Sequence, residues 1–133
     1  MKNALVQHIE AMNAKSAAWV AEDPANRCAG MLTTDAAHWT GYGVTTVAEL
    51  EKYLLVCDVF EATRSAWGYK PSWSHLMAAS VESLRKELDS LCDAMRSERE
   101  REERDERIHA ERTAAALAHK SGFSVGELVA IAA

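Results

Sequence analysis

Apolar residues recur along this chain at helical spacing, and no stretch shows the alternation of a strand. From residue 3 to 22, Leu5, Ile9, Met12, Trp19 and Val20 fall near a 3.6-residue period, with Gln7, Glu10, Asn13 and Lys15 on the other faces. Asn3 suits the N-cap, and Asp23-Pro24 ends the helix because a residue before proline is pushed out of the α region. Residues 24–44 read as a loop with one short helical turn, Asp35 to Trp39, capped by Thr34 and broken by Gly41 and Gly43. A second helix covers 46–67. Thr46 and Glu49 form a capping box, and Val47, Leu50, Tyr53, Leu54, Cys57, Phe60 and Trp67 make a wide apolar face. Gly68 stops it, and residues 69–79 form an aromatic connector pinned by Tyr69 and Trp73.

Ser80 opens the longest periodic stretch, which runs unbroken to Lys120. At about 1.5 Å per residue it spans roughly 60 Å, more than a domain of this size is wide. Leu84, Leu88, Leu91 and Met95 alternate at spacings of four, three and four, an a/d seam over two heptads. That seam packs either on the first two helices or on its own copy in a second subunit. Ten charged residues follow without interruption, Glu98 to Arg107, and then an alanine-rich segment containing Ile108 and Leu117. Each i,i+4 ion pair in the charged run contributes only about 0.2–0.5 kcal/mol, enough to sustain a solvated helix but not to anchor it. Gly122 ends the helix, and Ser124 with Glu127 caps a last short one, Val125 to about Ala132. The expected fold is therefore all-α: a small helical domain with one long charged helix and a short C-terminal helix. The expected division is a helical core at 1–97 and a projecting charged helix with a C-terminal hairpin at 98–133.

Composition narrows the chemistry. The 133 residues carry a formal charge of −5, which disfavours a broad nucleic-acid surface. Cys28, Cys57 and Cys92 are odd in number and contain no CxxC pair, so they are no disulfide framework; a reducing cytoplasm is expected. The N-terminal residues lack the continuous apolar core of a signal peptide, and no apolar run approaches a membrane span. Five scattered histidines give no ligand spacing, and Asp58 with Glu61, one turn apart, lacks the second carboxylate pair that a metal site would need. No nucleophile motif or glycine-rich phosphate loop is present, so neither a catalytic residue, a metal nor a cofactor is expected.

Two segments, DAAHWTGYGVTTVAELEKYL and DVFEATRSAWGYKPSW, followed by SVESLRKELDSL and an acidic–basic helix, resemble a family of small tailed-phage accessory proteins of uncharacterised activity. The resemblance covers residues 35–120 and implies a setting in the host cell cytoplasm rather than a mechanism. Residues 80–131 also resemble the oligomerisation region of the H-NS nucleoid proteins, where a charged helix leads to a Gly-aliphatic-x-x-x-Glu-Leu segment, here Gly122, Phe123, Glu127 and Leu128. Trp39-Thr40-Gly41-Tyr42-Gly43 is similar to the WTGxG of that family's DNA-binding region, with Val44 in place of its arginine and the two regions in reversed order.

These features give an expectation of role. The leading reading is a non-enzymatic phage-type accessory protein that binds a host protein, with inhibition of a host or defence system as the consequence. Its expected partner-binding anchors are Trp39, Tyr42, Trp67, Tyr69 and Trp73, since tryptophan and tyrosine dominate binding patches and these residues sit on connectors. A homodimer is expected through Leu84, Leu88, Leu91 and Met95 or through Ile108 and Leu117. The alternative is an oligomerising nucleic-acid-associated regulator, H-NS-like or with a helix-turn-helix built on Ala118, Gly122, Leu128 and Ile131. Its second helix, VGELVAIAA, lacks side chains that read bases.

Overall fold

A computed structural model describes residues 3–122 together with Gly126 and Ala130. Among these residues run five helices: α1 (Ala4–Glu22), α2 (Ala36–Gly41), α3 (Val47–Trp67), α4 (Trp73–Ala78) and α5 (Val81–Ser121). No strand occurs among the described residues, so the fold is all-α as the periodicity requires. Gly126 and Ala130, which fall within the expected last short helix, are both helical. The Ser124–Glu127 cap and the Leu128 and Ile131 positions of the helix-turn-helix reading lie outside the described residues.

Local chemistry sets the helix ends. Asn3, Thr46 and Ser80 each accept a hydrogen bond from a first-turn N–H, that of Val6, Glu49 and Ser83 respectively. At Thr46 the box closes differently from expectation. The Glu49 carboxylate accepts from the hydroxyls of Thr45 and Thr46, both at 3.0 Å, so it braces the cap through side chains. Gly68 takes the left-handed conformation (φ 76°) that a side chain disfavours, and its N–H donates to the Arg64 carbonyl. Two ends differ from the sequence reading. Asp35, not Thr34, caps α2, its carboxylate accepting from the Ala37 N–H at 3.0 Å. The aromatic connector contains a further helix, α4, capped by Ser72 accepting from the His75 N–H. Six residues are too few to show a helical period, which is why this element escaped the pattern.

The core forms around α3. Leu50 and Val59 are both fully buried, yet they lie nine positions apart, two and a half turns, and so face opposite ways. Leu50 joins Leu5 and Ile9 of α1, Trp39 of α2 and Val44 in one cluster. Val56 and Val59 join Leu76 of α4 and Leu84 and Leu91 of α5 in another. The continuous apolar run Leu54-Leu55-Val56-Cys57 follows from this, because a helix covered on two sides has no wide polar face. Buried Thr63 satisfies its hydroxyl by donating to the Val59 carbonyl at 2.7 Å. Helix α5 runs parallel to α3: Val81 and Arg85 border a groove with Leu55 and Asp58, whereas Ala94 and Met95 border one with Ala66 and Trp67. The segment 68–80, with α4 in it, is the return that makes a parallel pair possible.

The long loop before α2 is tied back to α1. Asn13 mimics a backbone: its side-chain amide donates to the Leu32 carbonyl at 2.8 Å, and its oxygen accepts from the Leu32 N–H at 2.9 Å. Nearer the turn, Arg27 lies 4.9 Å over the Trp19 ring and donates to the Trp19 carbonyl and the Glu22 carboxylate.

The leucine seam takes the first of the two arrangements its spacing allows, packing on the chain's own helices. Leu84 and Leu91 are spent within the chain, against α3 and α4, and Leu88 packs half-buried beside them. Met95 is half-buried on the groove at the end of α3. Ile108 and Leu117 are exposed, but nine positions separate them, so they lie on opposite sides of α5 and form no common seam. Every residue from Arg96 through Thr113 is exposed, a stretch of about 27 Å. Within it Arg101 pairs with Glu98 at i,i+3 spacing, and Asp105, four positions on, adds to the charge stabilisation of Arg101.

Core and exposed stretch should separate in mutagenesis. Leu84→Ala is expected to cost about 2–5 kcal/mol in urea-monitored unfolding. Ile108→Ala is expected to cost at most about 0.5 kcal/mol, because no packing is lost there.

Candidate functional site

Helix α2 and the N-terminus of α4 bring aromatic rings to one flank of α3. Tyr53, in the N-terminal third of α3, is the hub. Its ring meets Trp39 edge-on at 6.0 Å, Tyr42 at 5.7 Å and Trp73 at 5.7 Å. Trp73 in turn packs edge-on against Phe60 at 5.8 Å, one heptad further along α3. His38 extends the group on the far side, 5.1 Å from Tyr42. T-shaped and tilted contacts of this kind add roughly 0.5–1.5 kcal/mol per pair beyond area burial, so the rings hold one another in place. The outcome is a continuous band, Tyr42–Tyr53–Trp73–Phe60, with Tyr42 56% and Trp73 38% exposed.

The five expected anchors separate into three groups. Tyr42 and Trp73 belong to the band. Trp67 (61% exposed) and Tyr69 stand open at the C-terminal end of α3. Trp67 shares the seven-residue stripe of Tyr53 and Phe60 and lines the groove floored by Ala66, Ala94 and Met95. Trp39 is a correction: only 4% of it is exposed, and its indole N–H donates to the Thr33 carbonyl at 2.8 Å. It is a core residue, because the short α2 turns it inward onto Leu5, Ile9 and Leu50. Tyr53 and Phe60 were missed as site residues. The spacing Tyr53, Phe60, Trp67 was the available signal, since aromatic rings seven apart align along one helix face.

The surroundings of the band favour neutral groups. Burial raises the Tyr53 phenol above its usual range, with Cys57 and Tyr42 adding to the effect. Burial also raises the Cys57 thiol, and the Asp58 carboxylate beside it adds to the shift. Both stay protonated at neutral pH, so Cys57 is a poor nucleophile. Asp58 is raised by desolvation, in a groove that it shares with Glu51, Leu54, Leu55 and Arg85. Among the described residues, no buried polar side-chain atom lacks a hydrogen-bond partner. Nor do three or more His, Cys, Asp or Glu side chains converge there as a metal would require, and no helix is long and apolar enough to cross a membrane. What the arrangement can do chemically is present rigid, uncharged aromatic surface.

Two measurements follow from these environments. Exposed Cys28 and Cys92 should react with maleimide at neutral pH several-fold faster than half-buried Cys57, read by mass spectrometry of partly labelled protein. Asp58 has a folded pKa above its unfolded value, so folding disfavours its charge at neutral pH, and that cost disappears as pH falls below the ordinary aspartate range. Asp58→Asn should accordingly raise Tm slightly at pH 7, with the gain vanishing in acid. No family model matches the chain, and neither does any curated protein or solved structure, so a functional reading rests on this geometry.

Proposed function

We propose that this chain is a non-enzymatic accessory protein of the tailed-phage type that acts by binding a host protein in the bacterial cytoplasm. The carrying observation is the aromatic band Tyr42–Tyr53–Trp73–Phe60, partly open to solvent and continued along α3 by exposed Trp67. Pre-ordered tyrosine and tryptophan rings are the residues that dominate binding energy at protein interfaces, because they bury much area while losing little side-chain entropy. The two segments that resemble the phage family, residues 35–54 and 58–73, contain all four rings of the band together with Trp67 and Tyr69. Inhibition follows if the surface occupied on the partner is its working one.

The nucleic-acid alternative has less behind it. Trp39 of the WTGYG segment serves the core, and the exposed stretch Arg96–Thr113 carries seven acids against six arginines. Phosphate contact needs clustered positive charge, which that stretch does not supply.

Affinity capture from bacterial lysate tests the proposal. Wild-type bait should retain a specific protein, and the Tyr42→Ala/Trp73→Ala double variant should bind it at least about 30-fold more weakly, as loss of 2 kcal/mol or more at a hot spot implies. Trp19→Ala, on the distant end of α1, serves as the matched control and should bind normally, with circular dichroism confirming that each variant is folded. Absence of any specific partner at high bait concentration overturns the reading, and a low-salt gel shift with duplex DNA would support the alternative instead.

A further inference from the structure

We draw no further inference here: the strongest candidate, the open groove between the C-terminal end of α3 and α5, floored by Ala66, Trp67, Ala94 and Met95 and rimmed by Glu98, Arg99 and Glu102, is an unpartnered face, and nothing in the structure shows what covers it.

Discussion

Burial of α3 from two opposite sides is the constraint on which the other elements depend. Leu50 faces α1 and α2, while Val59 faces α4 and α5, and neither retains contact with water. Full burial of one such side chain contributes about 1.5–3 kcal/mol, so the two clusters together outweigh any exposed ion pair in the chain. Helices α1 and α5 need not touch each other extensively, since each is secured to the same central helix. That economy leaves α5 free to run on through the exposed stretch Arg96–Thr113.

The same arrangement creates the aromatic surface. A helix flanked on two sides keeps a seam between its coverings, and Tyr53 and Phe60 occupy that seam on α3. Tyr42 approaches from the end of α2 and Trp73 from the start of α4, so the band joins three elements that are separate in sequence. Its rigidity comes from anchoring below. Trp39 fills the core under Tyr53, and the loop leading to α2 is held to α1 by the reciprocal amide bonds of Asn13 with Leu32. Surface rings fixed in this way have little side-chain entropy left to lose on association, which is the physical basis for reading them as a docking surface.

Much of the fold was legible in the chain. The caps at Asn3, Thr46 and Ser80 and the stop at Gly68 are local events, decided by side chains within four residues of the backbone groups they satisfy. Short elements were less legible. Helix α4 is too brief for periodicity, and Asp35 competes with Thr34 for one cap, a choice that the path of the incoming loop decides. The site was legible in composition but not in grouping. Trp39 and Tyr42, only three positions apart on one connector, have opposite fates: one is core and the other is surface.

Residue spacing alone established an all-helical chain, the limits of its long helices and the solvated character of the charged run, because helix periodicity and capping act within a few residues. Tertiary structure decided which apolar residues are consumed inside the chain. The spacing of Leu84 and Leu91 suits either an intrachain partner or a second subunit, and the parallel seating of α5 on α3 is what buries them within the chain. Which rings join into the band was likewise decided there, since Tyr53 meets Tyr42 and Trp73 only when α2 and α4 converge on α3, a long-range event that no local pattern encodes.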